Sequence, residues 1–121
     1  MQPTEFIGKI VTVRIERSLG GRHPEHGFVY PVNYGYLPDT LAPDGQELDA
    51  YVLGVFEPVN EFEGKCIAVV HRLDDEDDKL IVTPEGVAYS DEQIRALIEF
   101  QERFTQSVIL RGVTLPGQGA K

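Results

Sequence analysis

Between Tyr30 and Leu53 the chain sets three tyrosines (Tyr30, Tyr34 and Tyr36) around Gly35, breaks at Asp44-Gly45, and then runs Leu48-Asp49-Ala50-Tyr51-Val52-Leu53. Asp44-Gly45 reads as a tight turn, because aspartate bonds its own turn and glycine tolerates the backbone that a turn demands. The apolar run after it reads as a strand. One carboxylate therefore sits in a turn, and a second, Asp49, sits at the mouth of a strand. Oxygen ligands gathered on rigid backbone in this way suit a hard cation.

The flanks point to a β protein. Val11, Val13 and Ile15 alternate with Thr12, Arg14 and Glu16, a strand with one face inward. Ser18 to Gly21 is a turn, and Arg22-His23-Pro24-Glu25-His26-Gly27 is a loop broken by proline and glycine. Residues 28–30 form a short strand candidate, 37–46 are irregular, and 49–56 form the strongest β run after the first. Residues 65–71 and 79–83 pair as a hairpin across the acidic connection 74–78. Ser90 and Gln93 make a capping box, with Asp91 and Glu92 at the positive end of the helix dipole. Ile94, Leu97, Ile98 and Phe104 then fall near one helical face. Residues 107–113 form a last strand, and a tail from about 115 to 121 is mobile. The expected architecture is a single domain over residues 1–121, mainly β with a C-terminal helix, as a small β-barrel or, alternatively, an up-and-down sandwich.

Charge narrows the function. Twenty Asp and Glu against eleven Lys and Arg give a net charge of −9. Such a chain is a poor ligand for nucleic acid or an anionic membrane. An anionic substrate would need metal ions to supplement the few cations. No apolar run approaches the roughly 20 residues that span a bilayer, and no basic segment followed by an apolar one marks a secretory signal. Cys66, alone and inside an apolar run, reads as a buried thiol. A cytoplasmic protein fits. No phosphate-cradling glycine loop, serine elbow or His-Glu-x-x-His motif is present.

The candidate chemistry rests on four groups of residues. Asp44 and Asp49, with Asp74, Asp75, Glu76, Asp77 and Asp78, would converge at one barrel end if the hairpin lies beside the strand after Asp49. Crowded carboxylates repel unless a divalent ion, magnesium above all, neutralises them; the competing reading of 74–78 is a solvated hairpin tip. Tyr30, Tyr34 and Tyr36 are core aromatics or phenol donors to phosphate. His23 and His26 are phosphate donors, metal ligands or exposed loop residues. Lys79 and Arg72 bind phosphate or merely pair with the aspartates.

Tyr30-Pro31-Val32-Asn33-Tyr34-Gly35-Tyr36, the spacing to Asp44, the Asp44-x-x-x-x-Asp49 pattern and the Asp74, Asp77, Lys79 set together resemble the signatures of the soluble (family I) inorganic pyrophosphatases. The resemblance implies a five-stranded, OB-like barrel with a C-terminal helix. It also implies magnesium-dependent hydrolysis of pyrophosphate by metal-activated water, with manganese as a second candidate ion, in a homo-oligomer. By similarity, Asp44, Asp49 and Asp77 would hold the tightest metal and Asp74 a further one. Tyr34 and Asp49 would be catalytic. Lys79 would hold a phosphate oxygen, with Tyr30, His23 and His26 as further substrate-binding candidates.

The departures are specific. Gln46 stands where the family has the aspartate that takes a proton from the attacking water, and an amide cannot accept it. The segment before Tyr30 is short, with Arg22, His23 and His26 in place of the family's charged residues. Arg14 stands for a first-strand glutamate, with Glu16 two residues on, and Phe104-Thr105 replaces a phosphate-gripping Tyr-Lys pair. A second reading is therefore a non-catalytic, metal-binding regulatory or scaffold protein that keeps the fold.

Overall fold

The computed structural model describes residues 2–75 and 77–112. Glu76 and the expected tail at 115–121 lie outside them. After a 3₁₀ turn at Pro3–Phe6 come β1 (Ile10–Arg17), β2 (Asn33–Leu37), β3 (Leu48–Val52), β4 (Glu61–Arg72), β5 (Lys79–Thr83), α1 (Asp91–Glu102) and β6 (Ser107–Leu110). The strand order is β1-β2-β3-β5-β4-β6, and a further β1–β4 pairing closes the first five strands into a barrel. Every neighbour pair is antiparallel except β3–β5, which is parallel. β6 adds outside the barrel, on the far end of β4. The barrel thus prevails over the sandwich.

Both faces of the central strands are buried, which is why they read as near-continuous apolar runs. Ala50, Val52, Cys66, Val69, Leu80 and Val82 pack with Val13 and Leu37 in the interior. Their alternates Tyr51, Leu53, Ala68, Val70 and Ile81 point outward, where Ile94 and Ile98 of α1 cover them. The capping box forms as expected: Gln93 N donates to Ser90 Oγ at 3.1 Å and Ser90 N donates to Gln93 Oε1 at 2.8 Å. Cys66 is fully buried, and burial pushes its thiol pKa up to about 11.

Several boundaries differ from expectation. Residues 28–30 contribute only an isolated bridge, Arg22 with Val29. The neighbouring strand is β2, whose Gly35 conceals it in the sequence; a Cβ at Gly35 would land on the Arg14 carbonyl, so glycine is what lets β1 and β2 approach. β3 stops at Val52, shortly before Gly54 turns left-handed at φ +86°. β4 begins at Glu61 rather than 65. β6 covers Ser107–Leu110 of the expected 107–113, and residue 113 lies outside the described residues. Phe104 falls beyond the end of α1 and is 64% exposed instead of packed on the helix face.

Candidate active site

Strand register brings the first pair of charges together. Asp49 of β3 lies directly opposite Lys79 of β5, and Tyr36 of β2 lies opposite Asp49. Asp49 and Lys79 lie two residues from Tyr51 and Ile81 and alternate with Ala50 and Leu80, so they share the outer face of the barrel wall and do not stand in its mouth. The Lys79 ammonium, 3% exposed, donates to Asp49 Oδ2 at 2.6 Å and pairs with Asp77 Oδ2 at 2.9 Å. It also lies 5.5 Å from the centre of the Tyr34 ring. Burial disfavours its charge, but Tyr34, Asp49 and Asp77 outweigh burial, and its pKa lies above the ordinary lysine value. Burial likewise drives the Tyr34 pKa upward, so this phenol keeps its proton at neutral pH.

The acidic hairpin divides its carboxylates among separate tasks. Asp77 turns to Lys79 and also faces Arg72 Nη1 at 3.4 Å. Asp75 Oδ1 accepts from Asp77 N at 2.9 Å, a local turn that aims Asp77. Asp78 faces His71 Nδ1 at 3.0 Å and accepts from Arg72 N. Asp74 accepts from Gln106 N at 2.9 Å and lines neither of the cavities at the site. The structure therefore joins Asp77, but not Asp74, to Asp49 and Lys79.

Asp44 arrives on the 38–47 loop. Thr40 ties that loop to the strands, donating to Leu37 O at 2.7 Å and accepting from Leu48 N at 2.9 Å. Asp44 Oδ1 accepts from Gln46 N at 3.0 Å across the expected turn. Asp44, Asp49 and Asp77 line a common cavity of about 210 Å³ with Glu16, Glu47 and Gln46. Among the described residues no three His, Cys, Asp or Glu side chains are already placed together to hold a metal ion. The carboxylates lining the cavity are hard oxygen donors, the kind that a divalent cation takes.

A second cavity, about 500 Å³, adjoins the first through the shared residues Glu16 and Asp77. Tyr30, Tyr34, His23, His26 and Lys79 line it, together with Arg17, Arg72, Phe28, Gln101 and Phe104. A bulge between Ile15 and Arg17 explains why two successive residues, Glu16 and Arg17, reach the site. Arg14 lines neither cavity. His23 Nδ1 accepts from both Glu25 N and His26 N at 3.1 Å, so the neutral ring carries its proton on Nε2.

Arg17, Gln101 and Glu102 carry no motif and escape a reading of the sequence. Glu102, at the end of α1, grips Arg72 with two bonds at 2.7 and 3.1 Å and accepts from Tyr51 OH at 2.6 Å. Burial pushes Glu102 up, but Arg72 and Tyr51 outweigh it and hold the carboxyl below its ordinary value. Gln101 accepts from Tyr30 OH at 3.0 Å and donates to Tyr51 OH at 2.7 Å. Only the three-dimensional placement of α1 reveals this network.

A family model described as inorganic pyrophosphatase matches residues 9–109. The chain belongs to the inorganic pyrophosphatase family. An inorganic pyrophosphatase of Methanosarcina mazei is 56% identical over 54 residues, covering 42% of this chain and 30% of that one. One from Saccharolobus solfataricus is 42% identical over 60 residues, covering 46% and 35%. These matches thus span about a third of each curated relative. Among solved structures, the inorganic pyrophosphatase of Neisseria gonorrhoeae superimposes with a TM-score of 0.59 at 27% identity, covering 74% of this chain and 70% of that one. The Ehrlichia chaffeensis enzyme gives 0.66 at 21% identity, covering 84% of each, which speaks to the fold.

Proposed function

We propose that the chain is a magnesium-dependent phosphoanhydride hydrolase, with pyrophosphate as its first candidate substrate. The observation that carries this reading is the junction of Asp49, Asp77 and Lys79 beside a carboxylate-lined cavity that also receives Asp44. Asp44, Asp49 and Asp77 would hold the cation. When bound, the cation supplies positive charge that offsets the phosphates and makes water more acidic. Lys79 is permanently charged at neutral pH and holds a phosphate oxygen. Tyr34 donates as a neutral phenol to the same group.

Gln46 cannot take the proton of the attacking water. Glu16, brought by the bulge to the border of both cavities, is the carboxylate placed to take it. His23 is less suited, because its Nδ1 lone pair is committed to the backbone and its Nε2 already carries a proton. Removing this base with Glu16→Gln should lower turnover by about 100-fold, the low end for a positioned general base. The reading carries with it a small phosphate-containing substrate, a cytoplasmic setting and a homo-oligomeric assembly.

Calorimetric titration with magnesium and then pyrophosphate separates this reading from a non-catalytic metal-binding role. Pyrophosphate binding that requires magnesium and is weakened in Lys79→Gln supports the hydrolase. Magnesium binding with no response to pyrophosphate contradicts it.

A further inference from the structure

The larger cavity is lined by aromatic rings as well as by charged groups. Its outer wall is a tiled set of rings: His23 lies 4.6 Å from His26 and 4.9 Å from Phe28, and Phe28 lies 5.6 Å from Tyr30, centre to centre. His26 and Phe104 face each other at 6.2 Å with a tilt of 25°. Both are exposed, so their faces are open to a further ring. A hydrated diphosphate gains nothing from phenyl and imidazole faces, whereas a planar ring stacks on them. The volume, about 500 Å³, is in the range of clefts that hold organic ligands.

The polar end of the same cavity fixes the orientation. Glu16 and Asp77 border both cavities, and Lys79 and Arg17 lie with them. A diphosphate at that junction sits beside the carboxylates of the smaller cavity and leaves the ring wall free for whatever the diphosphate carries. His23, held with its proton on Nε2, offers a donor to a ring nitrogen or carbonyl, which favours a heteroaromatic ring over a plain phenyl.

We propose that the ring-lined cavity binds the heteroaromatic group of an organic diphosphate, of the nucleoside diphosphate class, with its phosphates at the Lys79 junction. The proposal rests on the hydrolase reading for its chemistry. Water attacks the terminal phosphorus, the bridging P–O bond breaks as the new P–O bond forms, and inorganic phosphate leaves with the organic monophosphate. The binding itself does not depend on turnover.

The test compares two non-hydrolysable probes that share one P–C–P group, adenosine 5′-(α,β-methylene)diphosphate and methylenediphosphonate, by calorimetry of the full chain with magnesium. The nucleoside form should bind about tenfold more tightly or better, the gain expected of a stacked base. Phe104→Ala, a change at an exposed residue beyond the helix, should remove most of that advantage. Phe56→Ala, 83% exposed and in neither cavity, should leave the ratio unchanged. Equal affinity for the two probes, or an advantage that survives both Phe104→Ala and His26→Ala, overturns the proposal. Phosphate release from pyrophosphate and from adenosine diphosphate, measured in parallel, keeps the two readings apart. Release from pyrophosphate alone, with equal probe affinities, removes the ring site and leaves the hydrolase. A nucleoside advantage with no release from any compound keeps the ring site and removes the hydrolase.

Discussion

The wall of the site and its rim are built differently. Asp49, Lys79 and Tyr34 project from paired strands whose register is set by a core buried on both faces. Asp44, Asp77, His23 and His26 sit on loops, each held by a few local hydrogen bonds. The wall fixes the ammonium and its first carboxylate, while the rim is held more lightly and can adjust.

The largest effect should come from cutting the wall's anchor. Glu102→Ala leaves Arg72, whose side chain is 11% exposed, without its two-pronged partner. Breaking such a buried pair should cost about 3–5 kcal/mol, read from the urea midpoint. A loss under about 1 kcal/mol would show that Arg72 finds other partners and that the wall is no firmer than the rim. Gly35→Ala should follow at about 2–3 kcal/mol, because a Cβ there meets the Arg14 backbone and forces β1 from β2.

At the rim, Asp44→Ala should change stability by less than about 1 kcal/mol, as an exposed turn residue does, while weakening magnesium binding measured by calorimetry. A large loss of stability in this variant would erase the contrast. The smallest effect is one of pH. The Glu102 carboxyl titrates lower in the folded chain than in the unfolded one. Its contribution is therefore complete above the unfolded value and drains away as pH falls below the ordinary carboxylate range through the folded value. Glu102→Gln should flatten the acid side of a stability-against-pH curve, and an unchanged slope would argue against the coupling.

This contrast also explains what could be read in the chain. Asp49 and Lys79 are legible because each opens an apolar strand, and strand periodicity says which face it shares. The capping box at Ser90 is legible because its spacing is local. β2 was hidden because Gly35, required for close approach to β1, looks like a breaker. The fate of the acidic run was illegible for the opposite reason: Asp74, Asp75, Asp77 and Asp78 are chemically alike, and only the path of the hairpin assigns them to Gln106, the turn, Lys79 and His71. The bulge that delivers Glu16 and Arg17, and the helix end that delivers Glu102, leave no mark in the sequence because they depend on partners far along the chain.

We propose that Asp49, fixed against Lys79 by strand register, organises the cation-dependent site. Phosphate release from pyrophosphate, followed with and without magnesium in the parent chain and in Asp49→Asn, tests it most directly. Release should require the cation and fall by about 100-fold or more in the variant, the loss expected when a preorganised charge at a phosphoryl site is removed. Rapid release that Asp49→Asn leaves untouched would contradict it.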